Sequence, residues 1–139
     1  MPVAALAELD RVLVVGSFLR KDHPLIAHRL RQAAKRGTRI HVLHSVDDDW
    51  LMPIASKTIV APAEIPDHIA AFKEALNGGK NAAVLLGNFA QQHPEAARIH
   101  AAAAALGVKL GFLGEAANSV GGYIAGLPVG GNEIGRAHV

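Results

Sequence analysis

The hydrophobic positions of this chain fall into short apolar runs separated by segments with helical spacing. Apolar runs that suit buried strands occur at residues 11–16, 39–43, 82–87 and 108–113, with a shorter candidate at 58–61. Continuous apolar runs of this length, bounded by glycine, are typical of strands covered on both faces in a parallel sheet. Because strands and helices alternate along the chain, the pattern predicts an α/β fold.

The segments between these runs carry helix signals. His23-Pro24 predicts a helix start, because proline suits the first helical position, and Gly37 predicts the stop. Apolar residues at positions 65, 69, 72 and 76 share one face of a second predicted helix. An alanine-rich third helix is predicted over residues 94–106, ending at Gly107.

The two halves of the chain resemble each other. Gly16-Ser17-Phe18 matches Gly87-Asn88-Phe89, and His23-Pro24 matches His93-Pro94. The repeated unit is a strand, a Gly-polar-Phe loop, a His-Pro helix start, a glycine stop and a second strand. Two such right-handed crossovers predict a three-layer, doubly wound, mainly parallel sheet of about five strands.

This duplication also predicts where a ligand would bind. Doubly wound sheets bind ligands at the carboxyl ends of strands, where the strand order reverses. The candidate cofactor-binding residues in that strand-end crevice are Gly16, Ser17, Gly87 and Asn88. We assign residues 1–118 to one Rossmann-like domain and residues 119–139 to a glycine-rich tail or connection, leaving open whether 132–139 are native.

Composition narrows the function classes. The chain has no cysteine, so it supplies no disulfide, cysteine zinc site or iron–sulfur ligand of its own. No apolar run approaches the ~20 residues that span a bilayer, so we expect no direct membrane contact. The net charge is only +2, and only 4% of the residues are aromatic. The chain therefore lacks the dense basic stripe and the aromatic stacking platforms of nucleic-acid binders, and we expect no nucleic-acid partner.

The usual catalytic and metal-binding patterns are missing. Neither a G-x-G-x-x-G fingerprint nor a P-loop follows the first strand. Eight histidines raise a metal hypothesis, but His41 and His44 should point to opposite faces of a strand. His93 and His100 should share a helix face, yet no carboxylate accompanies them. We therefore predict no catalytic residue and no metal ligand, and interpret Asp47-Asp48-Asp49 as a solvated loop.

Three stretches carry family resemblances. Residues 12–33 resemble a segment of molybdopterin-type oxidoreductases, through Gly16, Arg20, Asp22, Pro24, Arg29 and Arg31. Ser17-Phe18 stands where that pattern has Asn-Pro. The large iron–sulfur subunit of bacterial respiratory NADH:quinone oxidoreductase (complex I) is similar at two places. These are Leu86-Gly87-Asn88 and the stretch from Gly114 through Ala117-Asn118-Ser119 to Gly126.

The resemblance to this subunit implies a role in electron transfer from NADH to quinone for the whole subunit. It implies that this chain is the C-terminal, molybdopterin-oxidoreductase-like region, with the iron–sulfur clusters in an N-terminal region outside it. The region itself is then structural and holds no cofactor. Its expected partners are other subunits of the peripheral arm, and its expected place is cytoplasmic, peripheral to the inner membrane.

Two alternatives remain open at this point. The chain could be a cofactor-binding domain of a molybdopterin-dependent enzyme, in which the strand-end loops hold a pterin dinucleotide. It could also be a stand-alone α/β protein that binds a small ligand. The missing Asn-Pro after Gly16 favours the structural role over the pterin site.

Overall fold

A single parallel sheet forms the centre of the computed structural model, which describes residues 3–114 and 124–126. Its five strands are β1 (Arg11–Val15), β2 (Arg39–His44), β3 (Ser56–Ile59), β4 (Ala82–Leu86) and β5 (Lys109–Phe112). All neighbours pair in parallel, in the order β3-β2-β1-β4-β5. The predicted α/β class with a doubly wound parallel sheet is confirmed.

The helices that connect these strands are mostly short. They are α1 (Leu19–Asp22), α2 (Pro24–Lys35), α3 (Ile65–His68), α4 (Lys73–Asn77), α5 (Asn88–Gln91) and α6 (Ala96–Ala105). Three 3-10 segments, Val3–Glu8, Pro62–Glu64 and Ile69–Phe72, complete the described elements. Among the described residues, no helix combines the length and the apolarity that crossing a bilayer requires.

The sheet is covered on both faces by two separate apolar clusters. One face packs Val12, Val14 and Ile40 against Ala27 and Leu30 of α2. The opposite face packs strand residues such as Leu13 and Val15 against α6 and the helical segment 65–77. The strand side chains alternate between the two clusters because successive residues of a strand point to opposite faces. This burial on both faces explains the apolar runs of the central strands β1, β2 and β4.

The two repeated units lie on either side of the boundary between β1 and β4. The first unit runs β1–α2–β2 and extends the sheet in one direction, and the second runs β4–α6–β5 and extends it in the other. Their helices cover opposite faces. Gly37 and Gly107, which follow the two helices, both have positive φ, +107° and +73°. Both are open to solvent and end their helices as the sequence repeat predicts.

Asp10 joins the two units at the end of the sheet where the strands begin. Its carboxylate accepts hydrogen bonds from the backbone amides of Lys80, at 2.7 Å, and Asn81, at 3.1 Å. The backbone amide of Asp10 donates to the Asn81 carbonyl, and its carbonyl accepts from the Arg39 amide. Asp10 thereby ties the start of β1 to the residues preceding β4 and to the start of β2.

Several predicted boundaries were wrong. The third strand begins at Ser56, two residues before the predicted start, and the last helix begins at Ala96 rather than at Pro94. The segment 65–77 is two α-helical pieces separated by a 3-10 turn at Ile69–Phe72 instead of one helix. Ile65, Ile69, Phe72 and Leu76 are nevertheless all buried against the sheet, as their spacing predicted. Apart from residues 124–126, the predicted tail 119–139 lies outside the described residues.

Candidate functional site

The carboxyl ends of β1 and β4 lie side by side at the point where the strand order reverses. Gly16 and Ser17 directly follow β1, and Gly87 and Asn88 follow β4. Asn88 is the first residue of α5. The structure therefore brings the four residues that the repeat selected to one edge of the sheet.

The two loops at this edge are in direct contact. The Gly87 amide donates to the Val15 carbonyl at 2.9 Å, and the Ala90 amide donates to the Gly16 carbonyl at 3.3 Å. A Cβ at position 16, where φ is +54°, would lie 2.6 Å from the Ala90 nitrogen. A Cβ at position 87 would overlap Ser17 and the Gly16 carbonyl oxygen. Both glycines are therefore needed for the loops to approach this closely, and the space between them is filled by the chain itself.

The two repeated phenylalanines converge on one histidine. Phe18 follows Ser17, Phe89 lies in α5, and their rings flank His44 at the end of β2, with centroid distances of 4.6 Å and 5.1 Å. The His44 side chain is almost completely buried. This aromatic cluster closes the same edge of the sheet on the β2 side.

The hydrogen bonding of His44 fixes its tautomer. The Val46 amide donates to Nδ1 at 2.9 Å, so the proton of the neutral ring lies on Nε2. That Nε2–H is buried and has no hydrogen-bond partner among the described residues. Burial lowers the pKa of His44, and the charge of Asp48 opposes this only in part. His44 is therefore neutral at pH 7 and enclosed by aromatic rings.

Further polar atoms near this edge are buried and lack a protein partner in the described part of the chain. They belong to residues that follow β1 and β2: Ser17 Oγ, Arg20 Nε, His23 Nδ1 and Ser45 Oγ. Buried polar groups are usually hydrogen-bonded, and each exception calls for a physical explanation. This concentration makes the edge the candidate functional site of the domain.

The acidic loop is largely neutralised by lysines. Lys57 lies 2.6 Å from the Asp47 carboxylate, and Lys21 lies 3.3 Å from that of Asp48. The Lys21 ammonium also lies 5.2 Å from the centre of the Phe18 ring, a cation–π distance. Asp49 accepts a hydrogen bond from the Leu51 amide. The three carboxylates thus hold the loop in place separately and do not converge on one point.

The prediction that His93 and His100 lie on the same helix face was wrong. His93 and His100 do not share a helix face, because α6 begins only at Ala96. His93 donates from Nε2 to the Pro62 carbonyl and accepts at Nδ1 from the Glu95 amide, so both ring nitrogens are occupied. His100 stacks on Phe112 instead. In the part of the chain that the structure describes, no three histidine or carboxylate side chains are grouped to bind a metal.

An apolar cleft adjoins the aromatic cluster and was not predicted from the sequence. It has a volume of about 490 Å³ and is open to solvent. Its walls come from the 3-10 turn after β3, from α5 and from the segment between α5 and α6: Pro62, Ala63, Phe89, Gln92, His93, Pro94 and Glu95. The repeat signal pointed to Phe89 and His93, but only the position of β3 beside β2 brings Pro62 opposite them.

Comparison with known proteins adds no family assignment to this geometry. No protein-family model matches the chain. No curated protein matches it either.

Proposed function

We propose that this chain is a structural, non-catalytic α/β domain of the large iron–sulfur subunit of a bacterial NADH:quinone oxidoreductase. The proposal combines two independent supports. The resemblance of residues 12–33 and of the Gly114–Gly126 stretch points to the subunit. The packing at the strand-end edge supports a structural role for the domain.

The observation that carries the structural role is the contact between the loops after β1 and β4. In doubly wound folds, cofactors bind where these loops separate, and a glycine there lets the cofactor approach the backbone. Here Gly87 lets the Ser17 backbone and side chain approach instead, and Gly16 does the same for Ala90. The two glycines therefore allow close contact between the two halves of the domain. This contact supports a structural role in preference to a pterin-binding role.

The absence of cysteine from the sequence fits the same proposal. Iron–sulfur clusters are held by cysteine thiolates, so the electron-carrying part of such a subunit must lie elsewhere. Within the proposal, this domain positions neighbouring parts of the peripheral arm without carrying electrons.

A second candidate is a ligand-binding role at the same edge. It is favoured by the unpartnered, buried polar atoms of Ser17, Ser45 and His44, which a bound ligand would satisfy. In this reading the domain belongs to a molybdopterin-dependent enzyme or binds a small molecule, and the loops move apart to admit it.

One experiment separates the candidates. An antibody against this chain is used to probe native gels of membranes from cells that make the protein, next to an in-gel assay of NADH-dependent tetrazolium reduction. We expect the antibody signal to coincide with the NADH-oxidising band, and that band to contain iron without stoichiometric molybdenum or tungsten. A signal in a different band overturns the proposal, and stoichiometric molybdenum or tungsten in the antibody-reactive band supports the second candidate.

A further inference from the structure

A groove on the face of the domain opposite to α6 combines positive charge with exposed aliphatic side chains. It has a volume of about 510 Å³ and runs between the 3-10 segment Val3–Glu8 and α2. Its walls are Val3, Ala7, Leu25, Arg29, Gln32 and Arg36, with His28 beside them. We infer that this groove is the docking site for an acidic, leucine-bearing amphipathic segment of a partner protein.

The charge of this face is one-sided. The sequence has no acidic residue from His23 to Val46, while the same stretch carries Arg29, Arg31, Lys35, Arg36 and Arg39. The ion pairs found among the described residues involve Lys21, Lys57 and Arg98, and none of these five cations. Glu8 ends the opposite wall but does not line the groove. Arg29 and Arg36, the two of these cations that line the groove, are therefore open to carboxylates from another molecule.

The second half of the chain shows that this arrangement is not a property of the repeat. The equivalent helix, α6, carries one cation, Arg98, and its guanidinium pairs with both Glu95 and Asp67. Helix α2 therefore retains unpaired cations, whereas the single cation of helix α6 is neutralised. This difference points to a role for the α2 surface outside the domain.

The apolar residues of the groove identify the class of partner. Leu25 is 78% exposed and Val3 is 49% exposed, so two aliphatic side chains face solvent within the charged surface. Single-stranded nucleic acids are held on aromatic platforms, and no aromatic residue lines this groove. Leucine and valine beside arginine instead suit an amphipathic peptide with apolar and acidic positions.

The spacing of the groove residues fits a helix-sized contact. Leu25, Arg29, Gln32 and Arg36, the residue that caps the helix, lie four, three and four residues apart along α2, so they share one helix face. The Arg36 guanidinium also donates to the Ala7 carbonyl at 3.4 Å, which holds it at the groove wall. On this face the apolar side chain of Leu25 lies about one helical turn before Arg29, and Arg36 follows about two turns after Arg29.

The inference is tested by photo-crosslinking in cells that express the full protein, with p-benzoylphenylalanine replacing Leu25. Because Leu25 is exposed, the change leaves the core intact. Crosslinked peptides are identified by mass spectrometry. We expect a single segment of one partner with a net negative charge and at least one leucine. A neutral or basic segment, a nucleic acid, a second copy of this chain, or no crosslink overturns the inference.

Charge variants provide the matched control. Arg29→Glu with Arg36→Glu reverses the charge within the groove and should lower the crosslink yield about tenfold, because like charges then face each other. Lys35→Glu with Arg39→Glu makes the same change in net charge outside the groove and should keep the yield within about twofold. Circular dichroism checks that both double variants fold. If the Arg29→Glu, Arg36→Glu variant does not fold, Arg29→Gln with Arg36→Gln takes its place. Equal yields for the groove and control variants overturn the inference.

The identity of the partner, but not the docking site, rests on the proposed function. An acidic segment from another peripheral-arm subunit supports both statements. An acidic segment from an unrelated protein, lost in the groove variant and kept in the control, supports the docking site and contradicts the proposed function.

Discussion

Gly87→Ala measures how closely the two halves of the domain approach each other. Gly87 has φ −85° and ψ 179°, a conformation that alanine adopts without strain. The only structural cost of the change is therefore the added methyl group. This group would overlap Ser17 and the carbonyl oxygen of Gly16. Gly16 is held on both sides, because its amide donates to the Leu43 carbonyl and its carbonyl accepts from the Ala90 amide.

The magnitude follows from these contacts. Forcing a methyl group into a packed interior costs about 1–3 kcal/mol. Separating the loops to admit it also weakens the hydrogen bond from Ala90 to Gly16, a loss of about 1 kcal/mol. The lower entropy of an unfolded chain with alanine returns about 0.5 kcal/mol. We expect Gly87→Ala to lower the free energy of unfolding by about 1.5–3.5 kcal/mol.

Urea denaturation followed by circular dichroism measures this change. With a denaturant slope of about 2 kcal/mol per molar urea, the midpoint should fall by roughly 0.8–1.8 M. Gly107→Ala is the matched control, because a Cβ there meets open space and only the positive φ of +73° opposes it. That strain costs about 1 kcal/mol. If Gly87→Ala is no less stable than Gly107→Ala, the loops are not in tight contact, and the reasoning for a structural role fails.

Three further predictions concern side chains at the two edges of the sheet. Asp10→Ala removes the acceptor of two backbone amides and should cost about 2–3 kcal/mol in urea denaturation, whereas Asp22→Ala at the exposed end of α1 should cost under about 0.5 kcal/mol. Ser17→Ala removes a buried, unpartnered hydroxyl and should raise the free energy of unfolding by about 1 kcal/mol; a loss of stability would show that the hydroxyl has a partner. Burial lowers the pKa of His41 and His44 in the folded protein, so the unfolded chain binds more protons below about pH 6.5. The free energy of unfolding should therefore be highest above that pH and should decrease on acidification. Urea midpoints between pH 8 and 5 test this, and His44→Gln should reduce the slope; a flat wild-type profile would contradict it.

The three central strands could be predicted because burial on both faces leaves a strong signal. Residues 11–15, 39–44 and 82–86 are strands in the structure, close to the apolar runs that predicted them, and the partly exposed edge strand at 109–112 also falls within its predicted run. The edge strand β3 was placed two residues too late, because its alternating exposure gives it no continuous apolar run. The segment 65–77 kept its predicted apolar face but not its single-helix geometry, which depends on packing against the sheet.

The candidate site could be predicted only as a location. The repeat brought Gly16 and Gly87 to one edge of the sheet, but it could not show that they lie within contact distance. The sequence pattern raises a metal hypothesis for His44 and gives no sign of an aromatic contact. Its position between Phe18 and Phe89 depends on β2 lying next to β1, which no local signal in the sequence specifies.

The sequence by itself determined the α/β class, the doubled strand–helix–strand unit and the absence of cysteine ligands, because these follow from local periodicity, from repeated turn residues and from composition. The tertiary structure decided the strand order, the contact that fills the predicted crevice and the groove with unpaired positive charge along α2. These features depend on distances between segments far apart in the chain. Local sequence preferences specify such distances weakly, and the packing of the whole sheet sets them.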